Sequence, residues 1–205
     1  MTGPRPGCRI CLVTPPAFEP AAFSSVLARA LGCADIAAVR LRMPAASPDA
    51  LSRAASALLE ITQRADVAFL LDGDPALAHS LGCDGVHVPA RMVAAARRII
   101  PEDSGSVGAA CGASRDAAMQ AAEAGADYVA FGPTIGPDAI VPETPADWAL
   151  AMVVPCVVGG GITLDTVSGW VATGAEFLAL GRCVWDAPEG PEAALRAISA
   201  RLTRD

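Results

Sequence analysis

The sequence contains no lysine and no asparagine, so all 15 of its basic residues are arginines. That absence excludes a Schiff base, a lysine clamp on phosphate and an asparagine ligand, and it leaves guanidinium as the only fixed cation. Aromatic residues make up just 4%, so Ala, Val, Leu and Ile must fill the interior, which suits helices laid closely over parallel strands. No apolar run approaches the roughly 18 residues of a membrane span. There is no block of basic residues and the formal net charge is −7, which argues against nucleic acid and anionic membranes as partners. The opening residues carry no apolar core of a secretory signal, so a cytoplasmic location is expected. The seven cysteines are an odd number without metal-ligand spacing, which argues against a disulfide framework or a zinc site. Cys8 and Cys11 form a C-x-x-C pair, but three residues apart on a strand they face opposite ways and read as small buried hydrophobes.

What is present is a chain of 205 residues, 53% hydrophobic and 18% charged, without a linker or a break in composition. This predicts one globular domain over residues 1–205. One phrase recurs four times: a helix-ending glycine, one or two small residues, an acid and a short apolar run. It appears at Gly32 to Asp35, Gly82 to Asp84, Gly125 to Asp127 and Gly174 to Glu176. Each reads as a helix closed by glycine and followed at once by a buried strand, the signature of stacked βα units. Strands are predicted over 9–14, 36–42, 67–72, 84–88, 106–111, 127–132, 155–159 and 176–181. Helices are predicted over 20–31, 48–64, 75–81, 90–99, 115–124, 144–152, 164–173 and 191–203. Proline at the first helical position marks the starts at Pro48, Pro75 and Pro191, and Ser114 and Thr163 read as N-caps. Eight such units predict a closed (β/α)8 TIM barrel. An open doubly wound sheet is the alternative, but the turn after the first strand is Thr14-Pro15-Pro16 rather than glycine-rich.

In a barrel, chemistry sits where the strands end. Gly159, Gly160 and Gly161 follow the seventh strand, and Gly181 and Arg182 follow the eighth. Bare backbone at these two loops predicts phosphate binding, the other reading being a turn that simply needs glycine. Arg40 and Arg42 share one face at the end of strand two, fit either for an oxyanion contact or for pairing with Asp72. Asp72 is the candidate metal carboxylate, since Asp74 before Pro75 reads as a helix cap. His87 and Cys111 end strands four and five and are candidate acid–base or nucleophilic groups, with buried core residues as the plainer reading. Gly132 and Thr134, after strand six, are candidates for contacting a substrate. Met43 and Met92 on the rim read as inert.

These rim segments together resemble the thiamine phosphate synthase and thiazole tautomerase (TenI-like) superfamily. The carrying stretches are VRLR (39–42), LLDGDPALAHSLGCDGVHV (70–88), GADYVAFGP (125–133), VPCVVGGGIT (154–163) and AEFLALGRCVW (175–185). The resemblance implies a barrel that joins a pyrimidine methyl diphosphate to a thiazole phosphate and releases pyrophosphate with Mg²⁺. It carries Arg42 and the metal-binding Asp72 over from the family, and it keeps Gly160 and Gly161 on the thiazole-phosphate side. The family's glutamine falls on Arg40, its lysines on Pro44 and Ile140, its second metal aspartate on Met92 and its strand-five histidine on Gly112, beside Cys111. The losses gather on the diphosphate and Mg²⁺ side, which predicts weakened or lost synthase activity. Two other readings stay open. One is a repurposed barrel that binds a phosphorylated small molecule without catalysis, and the other is a TenI-like thiazole isomerase using Cys111 or His87. A homodimer is compatible with all three.

Overall fold

The computed structural model describes residues 7–202. The expected leader-free opening over residues 1–6 and the last residue of the helix predicted over 191–203 lie outside the described residues. Eight parallel strands pair each with the next in sequence and close into a barrel, β1-β2-β3-β4-β5-β6-β7-β8, with β8 returning to β1. The open doubly wound sheet is thereby excluded. The strands are β1 (Arg9–Val13), β2 (Ile36–Leu41), β3 (Ala68–Asp72), β4 (Gly85–Pro89), β5 (Ser106–Gly112), β6 (Tyr128–Phe131), β7 (Cys156–Gly159) and β8 (Phe177–Leu180). The helices are α1 (Pro20–Leu31), α2 (Pro48–Arg64), α3 (Pro75–Leu81), α4 (Val93–Arg97), α5 (Arg115–Glu123), α6 (Glu143–Ala151), α7 (Val167–Ala172), α8 (Arg182–Trp185) and α9 (Pro191–Ser199). Among the described residues no helix is long and apolar enough to cross a membrane.

The helix starts follow local chemistry. The Ser47, Asp74 and Ser114 side chains accept from the amides of Ala50, Leu77 and Ala117, and Glu19 does the same for Ala21 and Ala22. These bonds satisfy amides that the first helical turn leaves without partners. Thr163 is different from its expected role. It begins a turn in which Thr166 and Val167 donate to its carbonyl, and α7 starts only at Val167. The short α8 has no counterpart in the predicted elements. It fits between β8 and α9 and swings Trp185 back so that its indole donates to the Val13 carbonyl at 2.7 Å.

The recurring phrase does two jobs. Gly82, Gly125 and Gly174 take left-handed φ of 72°, 94° and 89°, as a helix-closing glycine should. Gly32 does not, having φ −83°. The acid that follows ties one strand to the strand before it. Asp84 accepts from the Phe69 amide at 2.7 Å and donates its own amide to the Phe69 carbonyl. Asp127 makes the same reciprocal pair with Val107, at 2.6 Å for the carboxylate, and also holds Arg97. Glu176 accepts from the Cys156 amide at 2.9 Å, and Asp35 holds the Arg9 guanidinium through two bonds. The four acids thus clamp β1 to β2, β3 to β4, β5 to β6 and β7 to β8, all at the end of the barrel where strands begin.

Period-two alternation sorts the strand residues between two layers. Ile10, Leu12, Val39, Leu41, Phe69 and Leu71 point outward into one apolar layer beneath the helices. Cys8 belongs to that layer while Cys11, though buried, does not, and no disulfide joins any of the seven cysteines.

Candidate functional site

The mouth of the barrel where strands end holds a cleft of about 1000 Å³. Arg40, Arg42, Asp72 and His87 line one wall, and the glycines at 132, 159, 160, 161 and 181 line the opposite floor. Arg40 lies on β2 with its side chain 13% exposed. Arg42 follows it by two residues and so shares its face, and its amide donates to Thr14 Oγ1 at 3.1 Å. Both guanidiniums reach Asp72 at the end of β3: Arg40 Nε stands 3.3 Å from Oδ1 and Arg42 Nε 3.2 Å from Oδ2. Arg40 Nε and Asp72 Oδ1 are both buried yet make no hydrogen bond in spite of their proximity. Burial raises the pKa of Asp72 above the usual carboxylate value, against the opposing pull of the two arginines.

Asp72, His87, Gly108 and Tyr128 are register partners on successive strands and form one row across the barrel interior. A Cβ on Gly108 would lie 1.9 Å from Tyr128 Cζ, so only glycine lets the tyrosine cross the row. Tyr128 stacks on the His87 ring, and its hydroxyl shares a hydrogen bond of 3.0 Å with His87 Nδ1. Burial holds His87 well below its ordinary value, with Arg40 and Arg42 adding to the effect, so the imidazole is neutral at pH 7. Burial likewise raises Tyr128, which keeps its proton. The available signal for Tyr128 was that it is the sequence's single tyrosine, set at the start of a buried strand.

The glycine floor is tightly built. Gly160 and Gly161 have φ of 88° and 112°, and a Cβ on Gly161 would lie 2.5 Å from Ile135 Cγ1. Thr134 braces this turn from outside the cleft: its amide and hydroxyl donate to the Gly160 carbonyl at 2.7 and 3.1 Å. Its hydroxyl is thereby engaged with backbone rather than offered to a ligand. Arg182 lines the cleft, but its side chain is 93% exposed and pairs with Asp186 one turn on. Cys111 is not brought into the site. Ala110 and Gly112 face the cleft, so the residue between them turns outward into the apolar layer, where burial pushes its thiol up to about 11.

The sequence profile described as thiamine monophosphate synthase matches residues 10–184. A thiamine-phosphate synthase of Rhodospirillum centenum is 46% identical over 92% of this chain and 94% of its own. That of Hyphomonas neptunium is 38% identical over 96% and 95% of the two chains. In three dimensions a thiamine phosphate pyrophosphorylase from Pyrococcus furiosus superposes with a TM-score of 0.83 over 95% of each chain, at 23% identity. The chain belongs to the thiamine monophosphate synthase family.

The Mg²⁺ that this family resemblance implies can be tested against the residues at the mouth. They do not fit it. Each oxygen of Asp72 faces a guanidinium, leaving a carboxylate already neutralised twice over. The position expected to supply a second carboxylate is Met92, which is 42% exposed and does not line the cleft. Among the described residues no group of three His, Cys, Asp or Glu side chains could hold a metal ion. Hard divalent ions need oxygen ligands, and this family member presents nitrogen cations where they would stand.

Proposed function

We propose that this protein is a thiamine-phosphate synthase that joins a pyrimidine methyl diphosphate to a thiazole phosphate. The observation that carries the reading is a single cleft with an anion-sized glycine floor on one side and two arginines on the other. It lies in a chain of this family that is 46% identical to a synthase over nearly its whole length. Two anionic groups at opposite ends of one cleft are what the two substrates of such a condensation require. The thiazole phosphate rests on the backbone of Gly160 and Gly161, where no side chain intervenes. The diphosphate faces Arg40 and Arg42.

The reaction breaks the bond between the pyrimidine methylene and the diphosphate oxygen, and the bonding pair leaves with the pyrophosphate. The thiazole nitrogen lone pair then forms the new carbon–nitrogen bond, giving thiamine phosphate and free pyrophosphate. No proton needs to move at the reacting carbon, which matches a site whose one imidazole is neutral and already hydrogen-bonded to Tyr128. Cation stabilisation of the leaving group is the larger demand. Neutral His87, its Nδ1 already engaged with the Tyr128 hydroxyl, does not present a free base to the pyrimidine cation.

Incubating the purified protein with both substrates and following thiamine phosphate by conversion to its fluorescent oxidation product tests the reading. Formation of thiamine phosphate above a no-enzyme control is expected. If a reference synthase turns over under the same conditions and this protein yields none at high concentration, the barrel binds phosphorylated ligands without this chemistry.

A further inference from the structure

The carboxylate pair expected for a metal is replaced by a guanidinium pair that closes on one aspartate. Arg40 is the departure from the family pattern: a glutamine position has become a third charge beside Asp72 and Arg42. The cluster carries two positive charges and one negative, so its formal balance favours an anion before any metal is added. A divalent cation placed on Asp72 would meet both guanidiniums within the same few ångströms and would have to displace them.

The geometry of the cluster is also unfinished. Arg40 Nε and Asp72 Oδ1 are buried and close, yet neither makes a hydrogen bond. A buried donor left in this state is relieved by an acceptor arriving from the cleft. Planar guanidiniums match phosphate oxygens with two parallel bonds each, and unlike an ammonium they stay charged when partly buried. Thr14 fixes the Arg42 backbone, and the Gly73 amide donates to the His87 carbonyl at 2.8 Å, so the ends of β2 and β3 are held in place.

We propose that Arg40 and Arg42 together hold the diphosphate group directly and that Arg40 takes the place of the resident metal ion. The inference rests on the synthase reading for its substrate, but its test does not require turnover. In the resting protein Asp72 keeps the two cations apart and neutralises one of them. When the diphosphate enters, its oxygens accept from both guanidiniums and Asp72 gives them up. In the reaction the same two groups stabilise the pyrophosphate as it departs with the bonding pair.

Calorimetric titration of the protein with inorganic pyrophosphate, first in excess EDTA and then in excess Mg²⁺, decides the matter. Saturable binding in EDTA is expected, and excess Mg²⁺, which chelates the free pyrophosphate, should not tighten it. Arg40→Gln should weaken pyrophosphate binding by about tenfold or more, equal to about 1.4 kcal/mol, and leave binding of inorganic phosphate at the glycine floor unchanged. Arg40→Lys should recover only part of the loss, because a point charge lacks the paired donors. Binding that appears only with Mg²⁺ overturns the proposal, as does an Arg40→Gln protein that folds and binds like the parent. If Arg40→Gln fails to fold, the parent protein in EDTA still gives the answer. Pyrophosphate binding in EDTA without thiamine phosphate formation would retire the synthase reading and keep this one. Turnover with pyrophosphate bound only through Mg²⁺ would do the reverse.

Discussion

The two ends of this barrel use carboxylates in opposite ways. Where strands begin, Asp84, Asp127 and Glu176 each accept from a backbone amide of the strand before, at 2.6 to 2.9 Å. Every one of these contacts is well formed and lies far from the cleft. Where strands end, Asp72 stands between two arginines with one oxygen making no hydrogen bond at all. A carboxylate that only supports the fold is satisfied by its own chain, whereas one at a site is left partly unsatisfied for a ligand to complete. The contrast separates stability from function at the two rims of one architecture.

Breaking the lower rim should produce the largest change. Asp127→Ala strips an acceptor from the Val107 amide and a partner from Arg97, and should cost about 2–3 kcal/mol of unfolding free energy, measured by urea denaturation. Pyrophosphate binding by the folded fraction should be untouched. On the upper rim the effect moves from stability to affinity. Gly161→Val forces a branched side chain against Ile135 at a φ of 112°, and inorganic phosphate should bind about tenfold more weakly or worse in equilibrium dialysis, a loss of about 1.4 kcal/mol.

A smaller effect tests the interior row. Folded His87 resists protonation well below the ordinary value of 6.5, so between those two pH values the unfolded chain binds a proton that the folded chain refuses. Stability therefore declines as pH falls below the unfolded value of 6.5, with a slope of at most about 1.4 kcal/mol per pH unit. Denaturation curves from pH 8 to 5 should show it, and His87→Gln should flatten that part of the profile. Asp72→Asn sharpens the comparison from the other rim: it removes the charge that stands between Arg40 and Arg42, so the thermal midpoint at pH 7 should fall, whereas the same change at a carboxylate without charged partners would not be felt this way.

The barrel was legible because four of the helix-to-strand boundaries carry the same punctuation, a glycine where the helix ends and then an acid, and several helix starts carry a cap or a proline. The pairing of Arg40 and Arg42 with Asp72 was legible too, since two residues apart on a strand share a face. The same rule, applied to strand five, places Cys111 on the helix side, because Ala110 and Gly112 face the cleft. Thr134 could not be placed this way, since its bond to the Gly160 carbonyl joins loops 26 residues apart. Tyr128 needed the register between β4, β5 and β6, which brings its hydroxyl to His87 over 41 residues of sequence. The role of the recurring acids needed it as well: spacing marks where each acid falls, and only the closed sheet shows which amide it meets.

The acid clamps have one more consequence. They join β1 with β2, β3 with β4, β5 with β6 and β7 with β8, and among the described residues no side-chain hydrogen bond of this kind crosses the four intervening seams. Two of the clamped ladders, β3 with β4 and β7 with β8, pair over only three residues each, while β4 and β5 pair over five without a clamp, so the acids add a fastening where the backbone zip is short. Native-state amide exchange should find that Glu176→Ala loses protection first at Cys156, where the zip has least else to hold it.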